Sequence, residues 1–337
     1  MKKIFLICLM SLFLITTLCS QENNDFYDNT QTFSLNGPKI HVNGEVENPG
    51  LVDFSKLKKH SVMVREAKYE STGEVEFVGA YRYDGYSLFD VLKERYVDKK
   101  NKQEFDSVID LVVVVENKSG EKVVLSWGEI YYATELHQTL IATHVSPILP
   151  TKTEDQWPIP QETRLICGND LLTVRNIEHP TKITVLSQPL SFEINREISP
   201  LYSDKIGVYK NKKCIDLIQT IKKVQEPRSY PSVFYGRGKG FHGVQNFTGK
   251  PLKSVLSPYF QVNEQNLRSG FFCVSAKDGY RITLSFSEIF NRNDNNDFLL
   301  IDQGKGEEGG RFRIFPSPDF FSDRAVKAIN EIHFMVY

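Results

Sequence analysis

Short apolar runs broken by polar turns fill this chain, and no long amphipathic period is sustained anywhere. Runs rich in β-branched residues predict strands at 39–46, 61–69, 110–116, 122–126, 163–167 and 181–186. Further on, the same pattern predicts strands at 232–235, 270–276, 281–285, 311–315 and 331–337. Helical turns are expected at 54–57, 88–96 and 127–136, and a longer helix at 214–223. Short strands of mixed spacing with few helices predict the α+β class.

The pattern occurs twice. Residues 115–130 (VENKSGEKVVLSWGEI) and 274–289 (VSAKDGYRITLSFSEI) agree at seven of sixteen positions. Both describe a β-hairpin turning at Ser119-Gly120 or Asp278-Gly279, followed by a Leu-Ser-aromatic-x-Glu-Ile run. Residues 85–92 (GYSLFDVL) and 249–256 (GKPLKSVL) precede the hairpins. Residues 164–170 (RLICGND) and 313–319 (RIFPSPD) follow them. Because the order is kept, the expected organisation is two tandem domains, 37–190 and 198–337, behind a leader at 1–20 and a tether at 21–36.

Each unit resembles the molybdopterin-binding domain of the sulfite oxidase family. The resemblance is carried by 42–49 (VNGEVENP), 83–88 (YDGYSL), the hairpin ending in Leu-Ser-x-x-Glu-Ile, 164–170 and a closing strand at 181–186. It implies a tandem molybdopterin-binding-like fold. In that family a cysteine thiolate ligates molybdenum, after the strand that precedes the Tyr-x-Gly-x-x-Leu helix start. Here the corresponding segments, 61–69 (SVMVREAKY) and 232–240 (SVFYGRGKG), hold no cysteine. Arg65, near the ligand position, is always protonated and cannot replace a thiolate. Exported members of the family leave the cytoplasm folded, through a twin-arginine signal, and this chain opens with Lys2-Lys3 instead. The resemblance therefore implies an exported, non-catalytic ligand-binding or interaction module that lacks molybdopterin. The alternative is a molybdopterin-dependent oxidoreductase with an atypical ligand set, recruiting Cys167 or Cys273.

Composition narrows the partners. Formal charge is −1 over 337 residues and the basic residues are dispersed, which gives nucleic acid no electrostatic footprint. Lys2-Lys3 followed by an apolar run at 4–18, about fifteen residues, is too short to span a bilayer and reads as a secretory signal. Cys19 is a candidate lipidation site, so the expected localisation is periplasm, cell surface or medium, with no transmembrane segment. Partners are expected to be a small ligand or an envelope protein. Outside the leader, Cys167, Cys214 and Cys273 form neither a disulfide framework nor a zinc spacing.

Candidate chemistry concentrates where the two units differ. The run at 236–243 (GRGKGFHG) offers alternating glycines whose amides can turn toward an anion, with Arg237, Gly238, Lys239 and His242 as ligand-binding candidates. By analogy with the resembling domains, Arg65, Lys68 and Tyr69 would face the equivalent pocket of the first unit. The first unit also carries a Pro-rich stretch at 139–161, read as an insertion. His137 and His144 are read as loop histidines rather than a metal pair. Glu129 and Glu288 recur at one motif position and are expected to open helices, where a carboxylate favours the positive dipole end. Asp170 and Asp319 suit turns after strands. No catalytic residue and no metal ligand is assigned.

Overall fold

A computed structural model describes residues 31–70, 72–150, 152–221, 226–304 and 309–337. The leader at 1–20 with Cys19, and most of the tether, lie outside the described residues. Strands of the first half are β1 (Phe33–Ser34), β2 (His41–Gly44), β3 (Gly50–Leu51), β4 (His60–Tyr69), β5 (Val75–Ser87), β6 (Leu111–Asn117), β7 (Lys122–Ser126), β8 (Thr139–Pro147), β9 (Arg164–Cys167) and β10 (Pro180–Ser187). The second half contributes β11 (Ile206–Lys210), β12 (Lys213–Ile218), β13 (Arg228–Gly236), β14 (Gly240–Pro251), β15 (Gly270–Ala276), β16 (Arg281–Ser285), β17 (Phe298–Asp302), β18 (Phe312–Pro316) and β19 (Ile329–Val336). The α-helices are α1 (Leu88–Lys93), α2 (Trp127–Tyr131), α3 (Leu252–Leu256), α4 (Glu264–Ser269) and α5 (Phe286–Phe290).

Four small sheets result, with orders β1-β8-β5-β4 (β9 also pairing β8), β3-β2-β10-β6-β7, β12-β11-β19-β15-β16 and β13-β14-β17-β18. The repeat is visible in this order. A late strand, β10 or β19, sits between an early strand that it pairs in parallel and a hairpin that it pairs antiparallel. That parallel pairing joins the two ends of each half, so each half closes on itself.

The expected α+β pair of tandem domains is overturned. The protein is mostly β, 45 % strand and 12 % helix, with its four sheets arranged like the blades of a four-bladed propeller. This is not the sulfite-oxidase-like molybdopterin fold that the motifs suggested. The helices are five or six residues long and form no layer. Each covers a strand end, and the apolar sheet faces bury themselves against other sheets. One hydrophobic cluster extends from Ile40 and Val42 through Leu125 and Phe272 to Phe334, and Thr32–Tyr337 forms one compact unit. A second contact between halves joins Val112, Val114 and Val124 of the first to Phe271 and Met335 of the second.

Individual elements differ from expectation for identifiable reasons. Residues 213–218 form β12, not a helix, because Lys213 to Ile218 pair with β11 along a β-bulge. The presumed insertion at 139–161 begins with β8, a buried strand central to its sheet and the counterpart of β17.

Candidate functional site

The recurring carboxylates are the first candidates to place. Ser126 caps α2 and Ser285 caps α5, each in a complete capping box with Glu129 or Glu288. The helix-opening role expected of both glutamates holds. Each also meets an arginine. Arg175 clasps Asp170 through two bonds of 2.7 Å and reaches Glu129 Oε1 at 3.1 Å. Arg324 clasps Asp319 at 2.7 and 2.6 Å and reaches Glu288 Oε2 at 2.8 Å.

These two clusters interlock across the halves. Arg175 donates to Ser285 Oγ of the second half at 3.3 Å, and Arg324 donates to Ser126 Oγ of the first at 3.1 Å. Backbone bonds repeat the exchange. Thr134 N–H donates to Pro318 while Asn293 N–H donates to Asn169, and Phe320 N–H donates to Tyr132 while Leu171 N–H donates to Asn291. Burial pushes the Glu129 carboxyl up, to about 7, against the pull of Arg175. Burial likewise raises Asp319, with Arg324 opposing. Burial works against the Arg175 charge, but Asp170 and Glu129 hold it well above the ordinary arginine range. The void among these groups is about 20 Å³, room for about one water. Such a volume fastens two halves together and admits no substrate.

Sequence reasoning missed both arginines. The signal was present: 170–175 (DLLTVR) and 319–324 (DFFSDR) share an Asp, two apolar residues and an Arg at the sixth position.

The glycine-rich run forms the turn of the β13–β14 hairpin. Gly240 and Gly243 have φ of +72° and +123°, which explains glycine at these positions. Arg237 is committed: its backbone N–H donates to Asp323 at 3.1 Å and its guanidinium lies 5.1 Å over the Tyr132 ring. His242 lies near Phe234, with ring centroids 5.7 Å apart. Arg237, Gly238, Lys239 and His242 line neither the cleft at Lys68 and Tyr69 nor the cleft at His333. On the outward face of this hairpin Val233 pairs Val244 and Tyr235 pairs Phe241, all four exposed.

Lys68 and Tyr69, at the end of β4, do line a cleft, of about 450 Å³, together with Glu66, Arg164, Glu178 and Arg268. Arg65 is exposed on β4 and does not line it. The charges in this cleft mostly satisfy one another. Arg164 lies 3.4 Å from Glu66 and 3.7 Å from Glu178, and Tyr83 Oη donates to Glu66 at 2.9 Å.

A second cleft, of about 470 Å³, runs along the seam between the halves. Leu186, Pro189, Leu190, Phe271 and Met335 make its apolar wall, and His333 adds an imidazole. His333 Nε2 is 2.7 Å from Glu331, its ring stacks on Tyr209 at 4.3 Å, and its Nδ1 is buried without a hydrogen-bond partner.

Cys167 and Cys273 are buried, and burial pushes both thiols far up, away from the thiolate that metal ligation requires. His137 does not meet His144. It stacks on His60 instead, while His144 sits on β8 with its Nδ1 3.4 Å from Lys59 Nζ. Among the described residues no helix is long and apolar enough to cross a membrane. No protein-family model matches this chain, and no curated protein does either.

Proposed function

We propose that this protein is an exported, non-catalytic binding module whose two repeated halves hold a small apolar or aromatic ligand in the cleft along their seam. Export rests on the basic-then-apolar opening at 1–18. The non-catalytic reading rests on the repeated Glu129 and Glu288 being spent in ion pairs and on Cys167 and Cys273 being buried. The binding seat rests on the cleft itself, whose size and apolar wall suit a drug-sized molecule. One observation carries the reading: His333 Nδ1 is a buried polar atom without a partner, on a residue that lines this wall. An unpaired buried polar atom costs about 1–3 kcal/mol, so a ligand group that met it as the imidazole turned toward the cleft would gain both affinity and orientation.

Titration of the full chain with 1-anilinonaphthalene-8-sulfonate tests this. Saturable binding at one site is expected, weakened about tenfold or more by Leu190→Arg at the cleft wall. Leu51→Arg, at an exposed position of β3, is expected to leave binding unchanged. Equal binding by wild type and Leu190→Arg would overturn the cleft as the seat.

A second reading is favoured by the exposed Val233, Val244, Tyr235 and Phe241 face, since contiguous exposed apolar surface marks contact sites. Here the partner is another envelope protein. Photo-crosslinking from position 241 in the native host tests it. Adducts that disappear in Tyr235→Lys support this reading, and no adduct at all sinks it.

A further inference from the structure

We propose that the first half carries a divalent transition-metal site made by His60, Asp90 and His137. These residues come from three elements: His60 opens β4, Asp90 lies in the first turn of α1, and His137 follows α2. Their ligand atoms all lie within 4.8 Å of one another. Two imidazoles converge on one carboxylate oxygen. Asp90 Oδ2 is 2.8 Å from His60 Nε2 and 3.8 Å from His137 Nδ1. Ligands about 2.0–2.2 Å from a tetrahedral ion stand roughly 3.3 Å apart, a value these two distances bracket.

The surroundings hold the ligands in place. Ser87 Oγ lies 2.8 Å from Asp90 Oδ2 and 3.0 Å from His137 Nδ1. The imidazole rings stack at 3.8 Å with 10° between planes, and Phe89 presents its edge to His137 at 5.7 Å, so an ion is bound by turning one ring out of the stack until both in-plane lone pairs meet it. Partial burial, with side chains 19–41 % exposed, leaves a way in for an ion and an open coordination position for water.

The second half supplies the contrast. His60 pairs with Gly85 at the end of its hairpin, and Arg228 pairs with Gly249 at the corresponding end of the other. At that corner Arg228 and Lys253 both pair with Asp297, the lysine at 2.7 Å. Two permanent cations neutralise the carboxylate there, and neither is a metal ligand. In the first half His60 takes the position of Arg228, Phe89 that of Lys253, and the carboxylate comes from Asp90, so it faces imidazoles that a metal can share. Two nitrogens and one carboxylate suit zinc, cobalt, nickel or copper and not the hard, all-oxygen preference of magnesium or calcium.

The test uses metal-stripped full-length protein titrated with Zn²⁺ by calorimetry and with Co²⁺ by visible absorption. One ion per chain is expected, with Co²⁺ bands typical of four- or five-coordinate nitrogen–oxygen ligation. His60→Gln and His137→Gln should each weaken binding about tenfold or more, and His144→Gln should not. Circular dichroism of each variant separates a lost site from a lost fold. No binding by folded wild type, or binding that survives both His60→Gln and His137→Gln, would show that the cluster is a hydrogen-bonded corner only.

Discussion

Lys122 and Arg281 stand at the same position of the repeated hairpin, and their surroundings differ. Arg281 is fully buried; its Nε donates to Asp110 at 2.9 Å, its Nη1 to Glu104 at 2.8 Å, and it lies 4.7 Å over the Phe105 ring. Lys122 is half-buried, sits across the ladder from Glu116, and holds its ammonium 5.1 Å over the Tyr337 ring. The segment before each hairpin explains the difference. In the first half it is a short turn ending in Asp110, which delivers a carboxylate to the seam and also pairs with Lys99 at 2.7 Å. In the second half it is α4, whose Arg268 reaches outward to Glu121 at 3.1 Å. A repeated scaffold thus becomes an asymmetric protein through the segments that join its strands.

The most damaging change to the symmetric part of this comparison should be Arg324→Leu. It leaves Asp319 and Glu288, both almost fully buried, without their cation. A loss of about 3–5 kcal/mol is expected in denaturant unfolding. Arg175→Leu should cost less, because Glu129 keeps 10 % exposure to solvent where Glu288 keeps 1 %. Equal losses would mean that water does not reach Glu129.

Next in size is the asymmetric pair. Arg281→Met should cost about 2–3 kcal/mol, since Lys99 still pairs with Asp110 while Glu104 loses its partner. Lys122→Met should stay within about 0.5 kcal/mol, as expected of a surface change. Comparable effects at the two positions would mean that the hairpin, not its surroundings, sets the energetics.

How much of this was legible beforehand depended on local pairing. The hairpin strands 122–126, 270–276 and 281–285 were read to the residue, because β-branched alternation and a Gly turn fix them locally. The helix-opening role of Glu129 and Glu288 was equally legible, while the Ser126 and Ser285 caps that complete each box went unread although Ser and Glu three apart are a local signature. What else failed was non-local. β8 (TLIATHVSP) interrupts its apolar residues with Thr143 and His144 and ends at Pro147, and only its pairing with β5 and β9 makes it a strand. The fold class failed for the same reason: helical turns were visible, but not that sheets rather than helices would cover them. The seam cleft and the His60–Asp90–His137 corner each join residues distant in sequence. No spacing rule could assemble them.

Titration separates the two ion clusters by pH. Burial raises the Glu129 carboxyl from 4.5 to about 7, so the folded state binds its proton more tightly than the unfolded chain. Stability from this group is fully present below about pH 4.5 and is lost as pH rises through about 7. Glu104 works the other way. Although burial opposes it, the Phe192 N–H and Arg281 hold it below the usual glutamate range, so its contribution is present above that range and is lost as pH falls. Glu129→Gln keeps the capping geometry and removes the charge. It should narrow the difference in stability between pH 5 and pH 8 by about 1–2 kcal/mol. An unchanged difference would place the titration elsewhere.

The two capping serines test the symmetry most directly. Ser126 and Ser285 each accept the N3 amide of their helix, at 3.0 and 3.1 Å, and each also accepts an arginine from the opposite half. Ser126→Ala and Ser285→Ala should each cost about 1 kcal/mol from the lost cap. The arginine contact is the shorter one at Ser126, 3.1 Å against 3.3 Å at Ser285, so Ser126→Ala should be marginally the worse. Combining Ser126→Ala with Arg324→Leu isolates that contact. A double variant less destabilised than the sum of the singles would show that the hydroxyl and the guanidinium support each other across the seam. Strict additivity would mean that the cap serves its own helix alone, and that the halves are held together by the carboxylate clasps and the exchanged backbone bonds.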